Sequence, residues 1–316
     1  MKEKIKVGIS SCLLGEKVRY DGGHKLDHYL RDTLGRFVEW VPVCPEVESG
    51  LPVPRAAMRL VGSPASPRLI TVRTGMDYTR QMLTWAGGRL DDLEKEDICG
   101  FIFKSRSPSS GMRGVKVYGG TGAPLRSGVG IFAGSFMKRF PLVPVEDDGR
   151  LQDPSLRESF IERVFVFRRW KEFGSDGRSV RGLIQFHTRH KLLVMSHSPR
   201  HYSLLGNLVA QGGGYRGADL YAEYLGLLMD GLRMEATVRK HTNVLHHMMG
   251  YFKKLLAPEE KKEMLGVIEE YRNGLVPLVV PLVLLKHYVR MYDEPYLKEQ
   301  YYLDPHPAEL MLRNHV

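Results

Sequence analysis

The chain has 316 residues, of which 43% are hydrophobic and 26% charged, a composition that suits a globular protein with length for two domains. Three cysteines argue against a disulfide framework and for a reducing compartment, and the opening "MKEKIKVGIS" lacks the apolar core of a secretory signal, so a cytoplasmic location is expected. The formal net charge of +10 divides into +6 over residues 1–150 and +4 over 151–316, so it is no basic tail; it favours a polyanionic partner, with nucleic acid first, beside the plainer reading of a basic surface.

In chain order, "IKVGISS" (5–11) is an apolar run of strand length, and "HKLDHYLRDTLGR" (24–36) follows with Leu26, Tyr29, Leu30 and Leu34 at helical spacing. "FVEWVPV" (37–43) reads as a second strand, "YTRQMLTWAGGRLDDLEKE" (78–96) as a helix and "GFIFKS" (100–105) as a third strand. Strand and helix alternating at this spacing predict βαβ units: an α/β first domain, Rossmann-like, with a mainly parallel sheet. "GVGIFAG" (128–134) is not a GxGxxG loop and reads as tight packing. The polar stretch "PVEDDGRLQDPSLRE" (144–158) carries Gly and Pro, and sets the predicted boundary between domains 1–148 and 149–316.

Beyond it the pattern is all-α. In "TVRKHTNVLHHMMGYFKKLL" (237–256), Val244, Leu245, Met248, Met249, Phe252, Leu255 and Leu256 share one helical arc. Arg239, Lys240, His246, His247, Lys253 and Lys254 share the other, which reads either as a solvated face or as a phosphate-binding surface. Pro258 opens a further helix with acids in its first turn and an Asn-Gly stop. "LVPLVVPLVLL" (275–285) is too short to span a bilayer and holds two prolines, so no membrane partner is expected. The pairs His187/His190 and His197/His201 have helical spacing but no acidic motif partner, which favours core histidines over metal ligands. Tyr251, Tyr271 and Tyr288 are readable as base-stacking residues or as the edge of a core.

Ligands of open parallel sheets bind beyond the carboxyl ends of the strands. Three loops leave those ends: "SSCLLGEKVRYDGGHK" (10–25), "CPEVESGLPVPR" (44–55) and "KSRSPSSGMRG" (104–114). Cys12 and Cys44 open two of them and are therefore expected to converge. Soft thiolates suit zinc, copper or an iron–sulfur cluster; without a CxxC pair a structural zinc site is disfavoured. A cluster and a cysteine nucleophile, its thiolate favoured by Arg19, Arg55 or Arg106, both stay open on the residues alone.

These three loops together resemble the TudS-type thiouracil desulfidase domain. "QFHTRHKLLVMSHSP" and "RKHTNVLHHMMGYFKK" look like the helical domain of longer relatives, the RudS-type tRNA 4-thiouridine desulfidases. The resemblance implies a 4Fe-4S cluster on three cysteines, and replacement of a thiocarbonyl sulfur by oxygen without net redox change, in tRNA or in a free thiopyrimidine. Carried over by motif, Cys12 and Cys44 would be cluster ligands, Glu46 the acid/base, and Ser107 would help position substrate; Arg19 and Arg106 of the same loops are candidates to bind substrate or RNA. Arg239, Lys240, His246, Lys253 and Lys254 would hold RNA. Where the family reads SPSCG this chain reads SPSSG, so the third ligand position is Ser110; Cys99, before the third strand, is the weaker substitute. The competing readings are a cluster-free cysteine enzyme and a non-catalytic tRNA-binding or regulatory relative.

Overall fold

Residues 4–119, 124–175, 178–214 and 217–314 are described in this computed structural model, and the chain divides into two units, Met1–Asp153 and Pro154–Val316. The first unit runs β1 (Ile5–Ser10), β2 (Val38–Val43), α1 (Pro45–Glu48), β3 (Met58–Ser63), β4 (Ser66–Thr71), α2 (Thr79–Lys95), β5 (Phe101–Phe103), β6 (Val115–Tyr118), β7 (Pro124–Gly128), α3 (Ile131–Arg139) and β8 (Val145–Asp147). One sheet, ordered β2-β1-β5-β8, is wholly parallel, as alternating strands and helices require. β2 lies on its edge, where Pro42 sacrifices no ladder bond that a central strand would need. In the centre, Gly8 leaves room for Phe101, whose ring would lie 2.2 Å from a Cβ there. Phe101 stacks on Phe103 at 4.3 Å and meets Phe136 of α3 at 4.8 Å.

A second sheet, β4-β3-β6-β7, joins the antiparallel hairpins β3/β4 and β6/β7 through a parallel β3/β6 pair. Leu60, Leu69, Val115 and Val117 of this sheet pack with Met82 of α2 and Ile131 of α3. Three expectations change. Residues 24–36 form no α-helix, only a π turn over Tyr29–Thr33 and a 3-10 turn over Leu34–Arg36. The amides of Lys25 and Asp27 are committed to the carbonyls of Cys12 and Leu13, which binds this segment to the first loop instead. The third strand stops at Phe103 because the Lys104 amide turns to Ser10 Oγ (2.9 Å). The polar stretch at 144–158 contains β8, whose buried Glu146 accepts from Arg150 Nε at 2.8 Å.

The second unit is helical: α4 (Pro154–Ser175), α5 (Val180–His197), α6 (Pro199–Ala210), α7 (Gly217–Leu232), α8 (Val238–Met249), α9 (Pro258–Arg272), α10 (Val279–Met291) and α11 (Pro295–Lys298). Trp170 stacks on Tyr224 at 5.4 Å in its core. α8 is shorter than its periodicity suggests, passing at Gly250 into a 3-10 turn that changes the phase. Val244, Leu245, Met248, Met249 and Phe252 are buried as expected, but Leu255 is 45% exposed. No helix among the described residues is long and apolar enough to cross a membrane.

Candidate active site

The three loops meet in a cavity of about 370 Å³ beyond the carboxyl ends of β1, β2 and β5, lined by Cys12, Cys44, Glu46, Lys104, Ser107 and Ser110 among others. Each donor is fixed by its own stretch of backbone. Cys12 sits in the 3-10 turn Ser11–Leu14, which ends on Gly15 at φ +98°, a left-handed conformation suited to glycine. Cys44 caps α1; its N–H donates to Glu48 Oε1 (2.7 Å), and Pro45 occupies the first helical position, where no donor is needed. Glu48 is in turn paired with Arg89 at 3.3 Å.

Ser110 lies in a loop clamped from both sides. Its N–H donates to Ser107 Oγ (3.1 Å), while the amides of Phe132 and Ala133, at the start of α3, donate to the Ser109 carbonyl. Gly130 makes this approach feasible, since a Cβ there would stand 2.5 Å from the Ser109 carbonyl oxygen. The glycine-rich "GVGIFAG" is thus a packing element, as its sequence suggests. Arg106, at φ +59°, carries a non-glycine residue through the left-handed region at the cavity mouth, a local strain that the clamped loop sustains.

Glu46 Oε1 accepts from Ser109 Oγ at 2.5 Å, and Ser109 Oγ lies 2.9 Å from Ser107 Oγ. Because Ser107 Oγ already accepts the amides of Ser109 and Ser110, its own proton points to Ser109, giving a directed chain Ser107→Ser109→Glu46. The other carboxylate oxygen lies 3.6 Å from Cys44 Sγ and 3.7 Å from Arg55 Nη2. Lys104 Nζ, also in the cavity wall, is paired with Asp148 at 2.8 Å. Ser109 is not marked out by the sequence, because its partner lies 63 positions away.

Cys12 and Cys44 are 8% and 7% exposed. Burial pushes the Cys12 thiol up to about 11, with Lys104 opposing and Glu46 assisting. Burial and then the Glu46 charge push the Cys44 thiol up to about 12. Without a metal both are thiols at neutral pH, which disfavours the cluster-free nucleophile; a coordinating metal ion deprotonates such a ligand outright.

Arg19, Arg55 and Arg106 also line the cavity. Cys99 does not: it is fully buried, and its N–H donates to the Lys6 carbonyl, at the opposite end of β1 from Ser10.

In the helical unit, Arg239, His246, Lys253 and Lys254 are exposed along one side of α8 and the turn after it. Lys240 is engaged, donating to the carbonyls of His197 (2.7 Å) and Glu235 (2.5 Å). Tyr271 and Tyr288 are buried, so they offer no stacking face; Tyr251 stacks on Tyr296 at 4.8 Å. His187 and His190 belong to the core, bonded to Tyr224 Oη and the Phe186 carbonyl. His197 has both nitrogens engaged, Nδ1 with the Met234 carbonyl and Nε2 with Glu162. Glu158, Glu162 and His306 approach one another closely enough to suggest a metal, yet Arg313 already joins both carboxylates, at 3.0 and 2.8 Å, and makes the cluster an ion-pair network. Burial opposes ionisation of Glu162, but the His197 bond and Arg313 charge win and hold it well below the usual carboxylate range.

Against known families, residues 7–148 match the model described as 2-thiouracil desulfurase. Over these residues the chain belongs to the 2-thiouracil desulfurase family. Residues 191–307 match a family described only as a protein of unknown function, DUF1722. The chain is 32% identical to the uncharacterized protein YbgA of Escherichia coli over 50% of its own length and 94% of that protein. It is 29% identical to the uncharacterized protein YbbK of Bacillus subtilis over 33% of its length and 71% of that protein. Among solved structures, the 4Fe-4S-dependent thiouracil desulfidase TudS is 31% identical, covering 50% of this chain and 99% of that one, with a TM-score of 0.40.

The donor set fits such a cluster with one change. Two buried thiols and one buried hydroxyl face a common cavity, where three thiols would be expected from the family motif.

Proposed function

We propose that residues 1–148 form a desulfidase that exchanges the sulfur of a thiopyrimidine for oxygen, and that residues 149–316 present an RNA, so that 4-thiouridine in tRNA is the substrate class alongside a free thiopyrimidine. The observation that carries this reading is the convergence of Cys12, Cys44, Ser110 and Glu46 on one cavity. A 4Fe-4S cluster held by Cys12 and Cys44 and completed at the Ser110 position would supply a Lewis-acidic iron with affinity for the thiocarbonyl sulfur.

The chain's own residues account for the rest. Overall, C=S and water become C=O and hydrogen sulfide, with no change of oxidation state. Water attacking the ring carbon must lose a proton, and Glu46 is the carboxylate placed in the cavity to take it. Ser109 fixes one oxygen of that carboxylate and leaves the other toward Cys44 and Arg55. Ser107, which heads the hydroxyl chain, would act on substrate only indirectly, by holding Ser109 and through it Glu46, because its Oγ is already engaged by two amides and by Ser109. Arg19 and Arg106 at the cavity suit the negative charge of a nucleotide. The exposed cations of α8 and its following turn suit a phosphate backbone.

Anaerobic purification, iron and sulfide analysis, and incubation with 4-thiouracil and with thiolated tRNA test this reading. Loss of the thiocarbonyl absorbance with release of sulfide is the expected result. An iron-free protein that leaves both compounds intact after reconstitution would overturn it, and tRNA binding without turnover would favour the non-catalytic relative.

A further inference from the structure

We infer that Ser110 is itself the third protein ligand of the iron–sulfur group in this chain, through its deprotonated oxygen; this rests on the cluster reading above. The hydroxyl is placed for it. Ser110 is only 3% exposed, and it shares the cavity with Cys12 and Cys44. Of the three serines in the SPSSG stretch, Ser107 and Ser109 spend their hydroxyls on each other and on Glu46. Among the described residues the Ser110 hydroxyl makes no such bond, although its amide is held by Ser107. The backbone therefore presents Oγ where the family motif presents a sulfur.

No other residue takes that place. Cys99 is anchored beside Lys6, and the six residues of β1 at ~3.3 Å each separate that end of the sheet from the cavity. On assembly the Ser110 proton is lost to solvent as the iron–oxygen bond forms, and no electron is transferred. Oxygen is a harder donor than sulfur and stabilises the ferric state, so the centre should have a more negative reduction potential than one with three thiolates, and should release iron more readily.

The test compares anaerobically prepared wild type, Ser110→Ala, Ser110→Cys and Cys99→Ser by iron and sulfide content per chain and by reduction potential. Wild type and Cys99→Ser should retain the cluster, Ser110→Ala should lose most of its iron, and Ser110→Cys should retain it with a more positive potential. A Ser110→Ala protein equal to wild type in iron and potential overturns the assignment, as does loss of the cluster in Cys99→Ser. A wild type as empty as Ser110→Ala beside a loaded Ser110→Cys overturns it too, while leaving the desulfidase scaffold in place. If even Ser110→Cys takes up no iron, the cluster reading itself fails.

Discussion

Ser109→Ala removes one hydroxyl from the centre of the site and little else. The Ser109 backbone stays anchored, because its carbonyl is held by the amides of Phe132 and Ala133 and Gly130 packs directly beneath it. What disappears is the 2.5 Å bond to Glu46 Oε1 and the link to Ser107. A hydrogen bond to a charged group contributes about 1.5–3 kcal/mol. The remaining neighbours of Glu46 are looser, a thiol at 3.6 Å and a guanidinium at 3.7 Å, and do not replace it. If that energy fixes the carboxylate where water must be deprotonated, its loss lowers kcat about ten- to hundred-fold, at roughly 1.4 kcal/mol per factor of ten. Because the hydroxyl acts on a proton-transfer group rather than on substrate binding, KM should change less than about threefold. The assay is anaerobic loss of thiocarbonyl absorbance from 4-thiouracil, run on samples matched for iron, with Glu46→Gln as the companion variant. A Ser109→Ala enzyme within about twofold of wild type in kcat, beside an inactive Glu46→Gln, would show that Glu46 works without being positioned by Ser109.

Arg313→Met should destabilise the helical unit by about 3–5 kcal/mol, because it leaves Glu158 and Glu162 buried without their shared cation. At ~2–4 °C per kcal/mol for a unit of this size, calorimetry should show a fall of about 6–20 °C, and a change under ~2 °C would refute the network's role. Burial, then the Lys191 charge, lowers the His187 pKa from 6.5 to about 4. A histidine neutral when folded contributes stability that is complete above pH 6.5 and lost as pH falls toward 4, amounting to about 3 kcal/mol at 1.36 kcal/mol per pKa unit. His187→Gln should therefore flatten the denaturant midpoint against pH across that window; an unchanged slope would locate the acid sensitivity elsewhere. Lys253→Glu with Lys254→Glu should weaken tRNA binding and reduce its salt slope by about one for each phosphate no longer neutralised, whereas equal slopes would remove this face from the interface.

Local patterns made much of this fold legible. β1, β2, α2 and the amphipathic run of α8 follow from apolar periodicity, and the parallel sheet follows from their alternation. The second sheet is hidden in the sequence for a physical reason: β3 and β4 are mostly half-exposed, β4 carries Pro67, and β6 has only four residues. None offers the apolar contrast that marks a buried strand. The segment at 24–36 follows its helical pattern only from Tyr29, as a π and then a 3-10 turn, because the amides of Lys25 and Asp27 before it are bound to the Cys12 turn. At the site, Cys12, Cys44 and Glu46 can be read from strand-end position and motif. Ser109 cannot, since nothing in "SPSSG" tells which hydroxyl meets a glutamate from another loop.

The same geometry explains why serine can stand at position 110 without disturbing its surroundings. The loop is shaped by the amide of residue 110, by Ser107 and by the start of α3, none of which involves the side chain at 110. Cysteine and serine differ there in donor atom far more than in shape, so exchanging them alters what the cavity binds and leaves Glu46 in place. On the proposed reading, metal affinity and proton transfer are therefore separable within a loop of a few residues, with position 110 acting on the first and position 109 on the second. Variants at 110 should shift iron retention and potential, whereas Ser109→Ala should slow turnover at constant iron. A Ser109→Ala protein that also released its iron would show that the hydroxyl chain supports the donor set itself, and that the two functions are built as one.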